Sequence, residues 1–145
     1  MAIQDNQLYS ENSRGALPAI QPASGPGAVV TRTFNAAADV LAVGTPVCVV
    51  LTTGLCDICD TDSANAWEQV VYGFVYPAAI TRAAGGEMLG TVMIKGSIDY
   101  DVVLATNTAL TGTEQELQDM LRKPGVEDRG LFIDGLVKAG GNSGL

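Results

Sequence analysis

Gly44-Thr-Pro-Val-Cys-Val-Val-Leu-Thr-Thr-Gly-Leu55 is the stretch that decides the fold. Thr45 to Thr52 is a near-continuous apolar run with two β-branched valines side by side. A strand with one wet face alternates, whereas an unbroken run predicts a strand covered on both faces. Thr53-Gly54 supplies a turn, and Leu55 to Asp60 predicts a short return strand. A sheet with both faces covered therefore sits in the first half of the chain.

Further strands follow outward from this pair. Val29 to Phe34 predicts a strand before it, and Asn35 to Asp39 a turn or short excursion. Thr61 to Ala66 is a polar loop. Gln69 to Tyr76 alternates, with Val70, Tyr72, Phe74 and Tyr76 on one face and Val71, Gly73 and Val75 on the other. Pro77 ends it. Met88 to Lys95 and Ser97 to Leu104 predict a hairpin with Lys95-Gly96 at its tip. In its second strand Ile98, Tyr100, Val102 and Leu104 share a face, and Asp99 and Asp101 face water. Thr113 to Glu116 is a capping box opening one short helix. Leu117, Met120 and Leu121 form its apolar face, and Pro124-Gly125 stop it. Leu131 to Val137 predicts a last strand. The fold class is mainly β with a minor α component: a small barrel-like domain with one short helix.

The ends differ in character. Residues 1–28 hold isolated large apolar residues without a period of 2 or 3.6, interrupted by Pro18, Pro22 and Pro26 and by Gly15, Gly25 and Gly27. This predicts either a disordered tail or an extended arm that orders on a partner, and the spaced large apolar residues favour the arm. Residues 29–138 form the β-rich domain, and residues 139–145 a loose glycine-rich tail.

Composition narrows the function classes. The 145 residues include no histidine, which removes Ser-His and Cys-His nucleophile pairs, HExxH zinc sites and histidine relays. The net charge of -8, with eight scattered basic residues, disfavours nucleic-acid phosphates. Charged residues are 17% against a usual value of about 25%, so much of the surface is neutral and suits coverage by partners. Met-Ala-Ile-Gln-Asp at the start has no basic or apolar leader character, and the longest uncharged runs are broken by Pro and Gly, so neither a leader nor a membrane span is expected. Three cysteines and no export signal predict reduced thiols made in a cytosol.

Individual clusters carry little chemistry. Cys56-Asp-Ile-Cys59 is half of a zinc knuckle that Cys48 could join, but a second CxxC is absent and the two cysteines face opposite sides of a strand. Asp57, Asp60 and Asp62 do not follow the calcium-loop spacing. Asp99 and Asp101 read as a solvated face rather than a catalytic pair. Gly85-Gly86 lacks the rest of a phosphate loop. Ile94-Lys95-Gly96 lacks the methionines of a biotinyl hairpin. Trp67 is either a core lid or an interface anchor. No catalytic, cofactor-binding or metal-ligating residue is assigned, and no cofactor is expected.

The collinear series of these elements resembles one family. Gly44 to Leu55, a polar loop, then Val71-Tyr-Gly-Phe-Val is similar to the front of the lambda-type phage head decoration proteins. Met93-Ile-Lys-Gly-Ser-Ile-Asp-Tyr-Asp-Val-Val-Leu resembles their hairpin, and the helix followed by Leu131 to Val137 resembles their close. The likeness covers roughly residues 43–138. It implies a β-tulip fold and a homotrimer at threefold positions of an expanded head in the virion. It implies an arm that adds a strand to the major capsid protein, with no nucleic acid or membrane as partner. Leu8, Tyr9, Leu17 and Ile20, continuing into Val29 and Val30, are then the candidate capsid-binding residues, with Trp67 as a further anchor. The alternatives are a fibre- or tail-associated virion module, and a small cytosolic metal- or ligand-binding β-domain built on Cys56 and Cys59.

Overall fold

The structure, a computed structural model, describes residues 18–61, 63–106, 114–122 and, for the backbone, 131–134. Leu8, Tyr9, Leu17, Thr113 and residues 135–145 lie outside the described residues.

Val47 and Cys48 show why the apolar run near residue 47 had to be a two-sided strand. The run forms β4 (Pro46–Val49), which is buried on both faces. It lies between β5 (Cys56–Ile58) and β6 (Gly73–Val75), both antiparallel to it. The turn between β4 and β5 closes at Gly54, whose φ of 75° suits glycine and whose N–H donates to the Val50 carbonyl at 2.7 Å. β2 (Val29–Phe34) and β8 (Met88–Met93) add a six-residue antiparallel ladder, from Val29 opposite Met93 to Phe34 opposite Met88. β8 also pairs with β6, and β2 meets β5 at Phe34 and Cys56, which closes a five-stranded barrel in the order β2-β5-β4-β6-β8.

Each barrel strand sends one residue into the same cluster: Phe34, Val47, Cys56, Val75 and Val92, all fully buried. A two-stranded ribbon of β3 (Asp39–Leu41) and β7 (Ile80–Arg82) adds Leu41 and Ile80 to it. The neighbouring barrel residues Cys48, Phe74 and Met93 join a second cluster. It is completed by two helices, α1 (Tyr100–Thr106) and α2 (Glu114–Leu121), through Tyr100, Val103, Leu117, Met120 and Leu121. Val47 thus packs in one cluster and Cys48 in the other. The domain is mainly β, as its sequence predicts.

The hairpin reading of residues 88–104 is corrected. Both edges of β8 are already occupied, by β2 and β6, so no ladder is left for the chain that follows it. That chain, β9 (Gly96–Asp99), instead becomes the centre of a separate three-stranded sheet. β1 (Ile20–Pro22) pairs with it antiparallel and β10 (Leu131–Asp134) parallel. The strand expected to continue to Leu104 ends at Asp99. Asp99 Oδ1 accepts the Asp101 N–H at 3.0 Å and caps α1. Tyr100 and Val103, three apart, then face the core.

The N-terminal boundary also moves. Residues expected to form an irregular arm hold β1, which among the described residues pairs on one side alone, an edge position that tolerates Pro22. The Asp99 N–H donates to Ala19 O at 2.8 Å and the Ala23 N–H to Lys95 O at 3.0 Å. Ile20 packs against the second cluster. The folded body therefore begins by about Ala19 rather than at Val29.

Candidate interaction surface

The sequence of the β4–β5 turn places a large apolar side chain outside the barrel. Leu51 follows the last β4 residues and is 73% exposed. Opposite it, Asn65 opens a single 3₁₀ turn over Ala66–Gln69. That turn is pinned by backbone bonds. Glu68 N–H donates to Asn65 O at 3.0 Å, Asp60 N–H to Glu68 O at 2.9 Å and Val70 N–H to Trp67 O at 3.2 Å. Tyr72 N–H donates to Val47 O at 2.7 Å, which ties the segment after the turn to β4.

Val49, Leu51, Ala66, Trp67, Val70 and Tyr72 line the cleft so formed, with a volume of about 450 Å³. Its lining is apolar apart from the Tyr72 hydroxyl and the Trp67 ring nitrogen. The Arg32 guanidinium lies 5.1 Å from the centre of the Tyr72 ring and donates to Gly54 O at 3.3 Å. Trp67 sits between the core and the surface. It packs partly on the second core cluster and also forms a wall of the cleft.

Val70 and Tyr72 were legible as neighbours on one face. Phe74, expected beside them, is fully buried instead, because the strand begins only at Gly73 and the 3₁₀ turn breaks the alternation before it. Leu51 and the contribution of Ala66 were not singled out in sequence, since both depend on two loops meeting in space.

A second polar constellation escaped the sequence reading. Arg82, 5% exposed, donates from Nε and Nη2 to the two Asp39 carboxylate oxygens, each at 2.6 Å. Its Nη1 donates to Asp57 Oδ1 at 2.8 Å, and Asn35 Nδ2 donates to Asp57 Oδ2 at 3.0 Å. These bonds fasten the β3–β7 ribbon to β5. Arg82's hydrogen bonds hold Asp39 below the ordinary carboxylate value, against the opposing effect of burial. The same bond to Asp39 raises Arg82 further above its already high value. Every polar atom of the guanidinium is committed to structure, so this is a clasp rather than a catalytic group.

The three thiols are buried and take part in no disulfide. Cys56 sits in the barrel cluster, whereas Cys59 sits in the other cluster with Cys48. Burial pushes the Cys59 thiol well up, with the adjacent Cys48 adding to it, and burial also raises Cys56 against the attraction of Arg32. Among the described residues no three His, Cys, Asp or Glu side chains gather as a metal-binding group. Asp99 is a helix cap and Asp101 is exposed.

Of the candidate capsid-binding residues, Ile20 is in β1, and Val29 and Val30 are half-buried in β2, opposite Met93 and Val92. None of the three lines the cleft. No helix among the described residues is long and apolar enough to cross a membrane. No protein-family model matches the chain, and no curated protein matches it.

Proposed function

We propose that this chain is a structural decoration protein of a tailed-phage head. It binds the expanded shell as a trimer, and its partners are the major capsid protein and further copies of itself. The observation that carries the reading is the cleft around Trp67. It is a concave, apolar surface with aromatic walls and no charged side chain in its lining, which suits protein contact and not turnover of a substrate. The collinear sequence likeness over residues 43–138 supports the same reading. So does a small mainly β domain whose first described strand, β1, lies at the edge of the three-stranded sheet and follows 19 residues with Leu8, Tyr9 and Leu17 spaced along them.

The work done is mechanical. Packed DNA pushes a shell outward, and a trimer bridging neighbouring capsid subunits adds contacts that must break before the shell opens. Three linked arms bind with avidity, so modest single contacts sum to lasting attachment. The acidic body does not compete for the DNA inside. A shared metal site at Cys56 and Cys59 finds no support in their placement on two faces of the sheet. The test is co-sedimentation of the full chain with expanded, DNA-free shells of its cognate capsid protein. Saturable binding in multiples of three per site is expected, and a chain that stays in the supernatant refutes the reading.

A further inference from the structure

We infer that, before any shell is met, the Trp67 cleft is occupied by the chain's own Leu8-Tyr9, so that the arm is stowed on the body that carries it. A small ligand needs placed polar groups to orient it, and this lining offers little beyond the Tyr72 hydroxyl and the Trp67 ring nitrogen. Two neighbouring apolar side chains of a peptide need no more than that. Tyr9 is the single aromatic residue among the 17 that precede the described body, and Leu8 stands beside it. A tyrosine between Trp67 and Tyr72 buries a large ring at little entropic cost.

The reach is sufficient. Ile20 Cδ1 lies 3.6 Å from where a side chain on Gly44 would begin. From Gly44 to Val49, at the cleft, is five residues, at most about 17 Å of extended chain. Tyr9 lies eleven residues before Ile20, a tether of roughly 36 Å when extended. The lining itself carries no charged side chain, and Leu8-Tyr9 is an uncharged pair between Asp5 and Glu11. A tethered pair so close binds at high effective concentration, so a weak contact is enough.

The inference shares with the decoration reading the use of Leu8 and Tyr9 as anchors, which makes stowage and shell binding competitors for the same two residues. Its test contains no shell, so either can fail without the other. Trp67 is the chain's sole tryptophan and reports directly on the cleft. In dilute full-length protein excited at 295 nm, Leu8→Ala/Tyr9→Ala should red-shift the Trp67 emission. Acrylamide should quench it roughly twofold more strongly as water enters the uncovered cleft. Asn12→Ala/Ser13→Ala should leave both unchanged, and far-ultraviolet dichroism should show the same fold in all three proteins. A photoreactive benzoylphenylalanine placed at Tyr9 should give an adduct within the same chain at Leu51, Trp67 or Val70. Unchanged Trp67 emission, an adduct elsewhere, no adduct, or an adduct between two chains overturns the inference.

Discussion

Replacing Gly96 by alanine tests the part of the fold that the sequence misrepresents. In a hairpin tip, position 96 would be an exposed turn residue. In the structure it lies under β1, with a φ of 143°, opposite Pro22 in the ladder. A Cβ there would be driven into Gln21 O, and would stand 2.8 Å from Pro22 Cα and 3.0 Å from Ala23 N. All three are backbone atoms and cannot rotate away. Either the residue keeps a conformation alien to side chains, at about 1–3 kcal/mol, or β1 lifts off. Lifting forfeits the bonds from Asp99 N–H and Ala23 N–H, each worth about 1 kcal/mol. It also forfeits the packing of half-buried Ile20, about half of the roughly 1.5–3 kcal/mol of a fully buried one. The second route comes to about 3 kcal/mol, so the cheaper of the two sets a cost of about 1–3 kcal/mol, or a fall in melting temperature of about 4–12 °C for a domain of this size. Gly96→Asn should cost as much, although asparagine suits turns. Gly85→Ala, which meets nothing within 4 Å, should change little. The assay is paired thermal and urea unfolding. A Gly96→Ala protein that melts with the wild type would refute the placement of β1 over β9.

Three further expectations follow from the same contacts. Removing residues 1–17 should leave the melting temperature nearly unchanged, whereas removing residues 1–28 should lower it markedly, because β1 and Ile20 go with the second cut; equal melting of the two truncations would contradict this. Asp39 titrates below its ordinary value of 3.8 in the folded chain, so its share of stability is complete above about pH 4 and is lost as pH falls through the lower folded value. In Asp39→Asn the acid-side slope of stability should be shallower, and an unaltered slope would show that the Arg82 clasp is not part of it. Finally, the native protein should react slowly with a thiol reagent at pH 8 and release three equivalents on unfolding, since all three thiols are buried; a fast-reacting native thiol would contradict their burial.

What the sequence revealed of this fold depended on how locally each element is determined. β4 was legible because only a strand covered on both faces sustains Val47, Cys48, Val49 and Val50 in a row. α2 was legible because Leu117, Met120 and Leu121 recur at helical spacing. The stretch 98–104 satisfied two periods at once. Ile98, Tyr100, Val102 and Leu104 alternate, while Tyr100 and Val103 are helical neighbours, and short apolar runs do not separate these possibilities. The capping role of Asp99 and the occupied edges of β8 decided for the helix. β1 was hidden because a three-residue edge strand needs neither periodicity nor freedom from proline. Trp67 stood out as a candidate from the start, but its partners did not. Leu51 and Ala66 reach it from separate loops, and that meeting is tertiary. The Arg82 clasp joins residues from positions 35, 39, 57 and 82, a distance in sequence that no local pattern bridges.

The proposal that this chain clamps a phage shell in threes can be seen directly on particles. Cryo-electron microscopy of expanded shells incubated with the full chain tests it most directly. The account predicts density for three copies of this β-barrel around each threefold position, with residues before Ile20 running onto the capsid protein. Bare shells, or isolated and paired copies without threefold clustering, would contradict it.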